Sequence, residues 1–457
     1  MSRISRGVAT TTAALLLGAC SPERTNGPEP TAAIAPSRSL AGVVRELAAA
    51  RGVGPLLDPP PVRPALARLG QALVFDKVLS GNRDISCMTC HLPGLATGDA
   101  RSLSIGQGAT GLGADRVHPD GAFIPRNAPS LFNLHALNSL FWDGRVSVDE
   151  EGRFRTPAGS QLSPEMTSVF EFGAVSALGL FPVLSREEMR AAGGNELAAI
   201  PDEERPAVWA ALMRRLGRIP EYRRLFERAY PGTRFERMSF AHASNAMAGF
   251  FLDALTFNDA PWDRFLRGAD RALDPAQLEG AQTFMSIRCS LCHNGPAFSD
   301  NQFHNVAVAQ FGPGQGDGPS GRDDFGRMRV TGDPADRYRF RTTPLRNVEL
   351  TGPFGHDGAF ADLREFIAHY SESDLKLRAF GGANLEPLLQ GTLLPTADDI
   401  LATRDTILDG VVLPDQVVDQ LTTFMGALTD PRSTGLDRIT PRRVPSGLPV
   451  DGFARGR

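Results

Sequence analysis

Cys87-Met88-Thr89-Cys90-His91 and Cys289-Ser290-Leu291-Cys292-His293 are two copies of one pattern, C-x-x-C-H. No other stretch constrains the chain as much, because this pattern attaches haem c. Two thiols add across the vinyl groups of one haem, and the adjacent His lies under the iron as axial ligand. A structural zinc site needs a further Cys or His pair at short spacing, and neither copy has one. A redox pair would not need the His. The chain has 5 Cys and the fifth is Cys20, so no disulfide is left to infer. Two covalently bound haem c groups are the expected cofactors.

The N-terminus points to export. Met1-Ser2-Arg3-Ile4-Ser5-Arg6 is short and basic, and Val8 to Leu17 is weakly apolar. Leu17-Gly18-Ala19-Cys20 resembles a lipobox, where a bacterial lipoprotein is acylated on Cys and cleaved before it. An ordinary signal peptide with an incidental Cys is the other reading. Residues 1–20 are thus expected to be a lipoprotein signal peptide, and the Pro-, Thr- and Ala-rich residues 21–39 a tether. Ser21, rather than Asp, resembles outer-membrane sorting. The expected location is periplasmic and lipid-anchored through Cys20, which suits haem attachment outside the cytoplasm. No other apolar run nears the ~18 residues that span a bilayer. A net charge of −4 with no long basic run points away from nucleic acid.

A length of 457 residues suggests two or three domains. Leu66, Leu69 and Leu73 share one helix face inside residues 40–78, which break at Pro59-Pro60-Pro61. Further helices are expected over Ala207–Leu216, Glu221–Ala229, Ser239–Leu255, Pro275–Ser286, Leu363–Tyr370 and Asp415–Leu428. About 35 glycine-bearing residues after His91 read as a loop, long enough to be functional and to wrap a haem edge. The halves echo each other. Gly70 to Phe75 before the first motif matches Gly280 to Phe284 before the second, and Pro129 to Asn133 matches Pro344 to Asn347. The expected fold is mainly α: two cytochrome c-like haem domains with long loops. Residues 40–257 would hold the first haem, 258–430 the second, and 431–457 would form a loose tail.

The stretches Leu73–Ser80, Arg126-Asn127-Ala128-Pro129, Phe141–Arg145, Pro182–Met189, Cys289–Asp300, Phe303-His304-Asn305-Val306, Pro344-Leu345-Arg346-Asn347 and Thr351–Gly358 carry a resemblance. The chain resembles the bacterial di-haem cytochrome c peroxidases and the related methylamine-dehydrogenase maturase, MauG. The resemblance implies a peroxide-reactive haem on His91 and an electron-transfer haem on His293. It implies Glu188 as the distal acid–base, Pro182 as a pocket wall, and Trp142 between the haems. It also implies a calcium ion held by Asn127 and the carbonyls of Thr351 and Pro353. The partners would be hydrogen peroxide and a small c-type cytochrome or cupredoxin donor, and the family admits a homodimer. Read without the resemblance, Glu188 is a helix-start glutamate favourable to the dipole.

Several positions depart from the peroxidase pattern. The His that caps the resting first iron falls at Gln107, which predicts an open or water-bound site, unless His118 substitutes. The distal Gln falls at Leu178. The Met ligand of the second iron falls at Tyr370, as in MauG, and phenolate favours oxidised iron where thioether favours ferrous iron. The other reading makes Tyr370 a core aromatic, with His369 or water as ligand. MauG's surface Trp falls at Ile287. His304 and His356 are expected to hydrogen-bond propionates or backbone, and His135 and His242 to be structural. The main expectation is a peroxidase reducing hydrogen peroxide to water. The alternatives are a MauG-like oxidase of a protein or organic substrate, working through a high-valent state, and a non-catalytic electron-transfer cytochrome.

Overall fold

The computed structural model describes residues 39–452. The expected signal peptide, the Cys20 lipobox and all but the last residue of the expected tether lie outside the described residues. The architecture is mainly α, with helices joined by long ordered loops. Helices run over Leu40–Ala50 and Pro64–Phe75, either side of the proline cluster, and the second starts on a proline as its first residue. Others cover Arg205–Gly217, Pro220–Ala229, Phe240–Ala254, Pro275–Ser286, Leu363–His369 and Asp415–Gly426. Among the described residues, strand is confined to two small antiparallel sheets. Val146–Val148 lies between Ser139–Leu140 and Phe154–Arg155, with Ser147 opposite both Ser139 and Arg155. Phe303–His304 pairs with Phe340–Arg341. No helix among the described residues is long and apolar enough to cross a membrane.

The internal echo has a packing cause. Each haem motif follows a helix that crosses a second helix at a glycine. A Cβ on Gly70 would lie 1.9 Å from Ala246 O, and one on Gly280 would lie 2.2 Å from Gln420 O. Only a residue without a side chain lets these backbones approach so closely.

One apolar cluster runs from Leu66 to Phe257 and a second from Trp262 to Leu428. Two terminal segments pack away from the half that chain order assigns them, as does the loop residue Leu103, which is buried in the second cluster. The helix Leu40–Ala50 buries Val44 and Ala48 in the second cluster. The C-terminal segment buries Leu436 and Val444 in the first. The expectation of a loose tail is therefore corrected for residues 431–452. Ser446 Oγ donates to Asp76 Oδ1 at 2.6 Å, and Lys77 Nζ meets Asp451 Oδ1 at 2.7 Å. The Pro- and Arg-rich composition hid two apolar anchors and a buried carboxylate that receives the tail.

The long loop after His91 is ordered by isolated backbone bridges, such as Thr110 with Val117, together with buried guanidinium groups. Arg116 donates to the carbonyls of Ile105, Gly106 and Gly111 at 2.8, 2.7 and 3.1 Å. Arg101 donates to those of Ala114 and Arg116, both at 2.9 Å. Peptide groups that no strand or helix pairs are satisfied this way.

Candidate di-haem site

Both haem motifs form a single helical turn, Cys87–Cys90 and Cys289–Cys292. The first pair of thiols lines a cavity of about 1370 Å³, the second a cavity of about 400 Å³. Residues three apart on a turn share one face, so one flat ligand reaches both sulfurs. Each His is held in the same way. His91 Nδ1 donates to Thr97 O at 2.9 Å, and His293 Nδ1 donates to Phe298 O at 3.0 Å. This backbone bond sets the tautomer and leaves Nε2 as the metal-binding atom. Burial lowers the pKa of both imidazoles, which keeps them neutral, as a ligand must be. Paired thiols, an oriented imidazole and a cavity, found twice, fit haem c.

The larger cavity also takes Glu188, Pro182, Leu178, Trp142 and Arg145 into its wall. Glu188 sits in a π-helical turn, Arg186–Arg190, whose entry is capped: Ser185 Oγ accepts from Glu188 N at 3.0 Å. This backbone role and a side-chain role in the cavity coexist. Burial raises the Glu188 carboxyl above the ordinary glutamate range, and Arg145, with Nη2 3.8 Å from Oε1, offsets that only in part. Glu187 is exposed and accepts from Ser185 Oγ at 3.0 Å. Gln107 lies away from the cavity, its Oε1 accepting from Asn82 N at 2.9 Å. His118 is turned to its own loop and accepts from Asp120 N at 3.0 Å. Among the described residues His91 is the only histidine lining this cavity.

Trp142 lines both cavities. Its Nε1 donates to Asn127 O at 2.9 Å, and its carbonyl accepts from Arg341 N at 2.8 Å. Beside it, Arg126 binds Asp324 through two parallel bonds of 2.6 and 2.8 Å and Asp143 through a third of 2.7 Å. Burial pushes the Asp143 carboxyl up, but Arg126 and Arg145 outweigh it and hold it well below the usual range. Arg145 Nη1 meets Asp143 Oδ2 at 3.2 Å, so one ion-pair chain runs from Glu188 through Arg145, Asp143 and Arg126 to Asp324.

Tyr370 ends the helix Leu363–His369 and lines the second cavity, and burial raises its phenol pKa. The neighbouring His369 is turned away, with Nε2 donating to Val306 O at 2.9 Å. His304 lies between two carboxylates, Asp405 at 2.6 Å and Asp300 at 3.0 Å. Burial opposes its charge, but the hydrogen bonds to Asp300 and Asp405 hold its pKa above the ordinary imidazole range. His356 is buried and pulled down to about 3, stacked on Phe340 with centroids 3.6 Å apart. Asn127, Thr351 and Pro353 line the same cavity. Asn127 Nδ2 donates to Arg101 O at 2.9 Å, which leaves its Oδ1 as a neutral acceptor. Such oxygens suit calcium, though three are about half of the six to eight it takes.

Residues 64–271 match the model of a family described as di-haem cytochrome c peroxidase. The cytochrome c551 peroxidase of Pseudomonas aeruginosa is 31% identical over 315 residues, spanning 69% of this chain and 74% of that protein. The chain belongs to the di-haem cytochrome c peroxidase family. The methylamine utilization protein MauG of Paracoccus denitrificans is 30% identical over 395 residues, spanning 81% of this chain and 90% of that protein. A crystal structure of a MauG-like protein associated with microbial copper homeostasis superposes with a TM-score of 0.57. It has 25% identity and covers 83% of this chain and 96% of that one.

As a family member the chain is an oxidoreductase with haem c cofactors. Two site residues escaped the sequence reading. Arg145 stood inside the quoted Phe141–Arg145 motif, but nothing local says that it reaches Glu188. Arg341 stood just ahead of a quoted motif with no sign that both cavities meet at its side chain.

Proposed function

We propose that the protein reduces hydrogen peroxide to two waters at the His91 cavity, using two electrons and two protons. The electrons come from a small c-type cytochrome or cupredoxin and enter through the His293 cavity. The observation that carries this reading is Glu188. It is a carboxyl of raised pKa in the wall of the cavity that the oriented His91 also lines, and no second imidazole among the described residues lines that cavity. Haem bound at Cys87, Cys90 and His91 supplies the redox centre at which the O–O bond is cut. Glu188 takes a proton from one peroxide oxygen and returns it to the departing one. Arg145 acts against burial and draws the pKa of that carboxyl back down, and Pro182 forms the wall beside it. Trp142, shared by both cavities, provides the path between them.

Asn127, Thr351 and Pro353, completed by water, hold calcium at the wall shared with Trp142. The two haem domains follow the two apolar clusters, and Cys20 anchors the protein to a membrane from the periplasm. A second reading, oxidation of a protein or organic substrate as in MauG, is favoured by Tyr370. It lines the second cavity where a family peroxidase has Met, while His369 is tied to Val306 O. An absorption spectrum of the oxidised protein with a turnover assay decides. One high-spin and one low-spin haem with peroxide-dependent oxidation of reduced cytochrome c supports the peroxidase. The same spectrum without that turnover favours the second reading. Two low-spin haems that reduction does not open would overturn both.

A further inference from the structure

Arg341 is 7% exposed and lines both cavities. It is the only charged residue among the described ones that does so. The other buried arginines at these cavities have carboxylate partners: Arg126 has Asp143 and Asp324, Arg190 has Asp202, and Arg346 has Asp263 at 2.7 Å. Arg341 has none. Its Nε donates to Phe141 O and its Nη1 to Thr342 O, both at 3.3 Å, and no described hydrogen bond uses Nη2. A guanidinium has five N–H donors and stays charged in a protein. Burying one without a counter-ion is costly, so an anion is missing from the partners the polypeptide provides. Burial alone pulls its pKa down to about 10, with no carboxylate acting the other way.

The backbone fixes where that charge sits. Arg341 N is bonded to Trp142 O and Arg341 Nε to Phe141 O, so the side chain is strapped to the segment between the cavities. Trp142, Asn127, Pro129 and Ser130, the other residues common to both walls, carry no charge. We propose that Arg341 is the shared counter-ion of the two haems, its planar fork taking propionate carboxylates from both cavities. A fork of parallel donors suits carboxylates, and the ends of one guanidinium can serve two of them. Its charge then stabilises the reduced state at both irons together.

This proposal rests on the two-haem reading, and the test separates them. Haem content per chain is measured by the pyridine haemochrome of wild type and Arg341→Gln, and both midpoint potentials by spectroelectrochemistry. Wild type with fewer than two haems sinks the two-haem reading itself. With two haems retained, Arg341→Gln is expected to lower both potentials, because a cation that favours the reduced state is gone. Either potential remaining at its wild-type value overturns the proposal. If Arg341→Gln does not hold both haems, Arg341→Lys is read instead. Its ammonium keeps the charge but lacks the planar fork that presents separate pairs of donors to the two cavities, so the contact to at least one propionate weakens and at least one potential falls; two wild-type potentials overturn the proposal.

Discussion

Glu188→Gln separates catalysis from fold at the first cavity. Gln keeps the shape, and the helix-start bond from the backbone N of position 188 to Ser185 Oγ remains. The side-chain ion pair lost is long, 3.8 Å, and each partner is a quarter exposed. A pair of that kind is worth about 0–1 kcal/mol. Arg145 is not orphaned, since Asp143 lies 3.2 Å from it. Stability also has an opposing term. Burial raises the Glu188 pKa, so the neutral form contributes stability that is complete below the ordinary glutamate range and lost as pH rises through the folded value. At neutral pH the permanently neutral Gln avoids that loss, and Tm should stay level or rise. Activity behaves oppositely. A positioned general acid–base is worth about 10²–10⁴ in rate, or ~3–5 kcal/mol of barrier. Steady-state peroxide turnover with reduced cytochrome c should fall by that factor at unchanged haem content. Wild type should also lose activity as pH drops through the raised Glu188 pKa, and the variant should lack this acid limb. Wild-type turnover in Glu188→Gln, or an unchanged acid limb, would refute the assignment.

Arg145→Ala removes the cation that offsets burial at Glu188, so the acid limb of turnover should move to higher pH while haem content holds; an unmoved limb rules Arg145 out. Gly70→Ala places a Cβ 1.9 Å from Ala246 O and should cost about 1–3 kcal/mol in chemical denaturation, with Gly280→Ala behaving alike. Ending the chain at Ser433 removes buried Leu436 and Val444 and should cost about 3–6 kcal/mol; a tail that is only loosely attached would cost nothing. Tyr370→Met should raise the potential of the second haem if the phenol is its ligand, and unchanged spectra and potential exclude that role.

The haem motifs, the helices and the mainly α class were legible because each rests on neighbours in sequence. Two thiols at one turn's spacing, or Leu66, Leu69 and Leu73 on one face, need no distant partner. The echo of Gly70 in Gly280 was visible without its reason, which is that a second helix, from residues 240–254 or 415–426, crosses there. Tertiary structure alone decided that the N-terminal helix packs with the second cluster, and that the tail closes on Asp76. It also decided that Gln107 leaves the cavity, that Arg145 reaches Glu188, and that Arg341 stands between two cavities without a carboxylate. Those facts depend on contacts between segments tens to hundreds of residues apart. Local pattern says which residues can carry charge or ligate iron, while long-range packing sets which of them meet and which charges stay uncompensated.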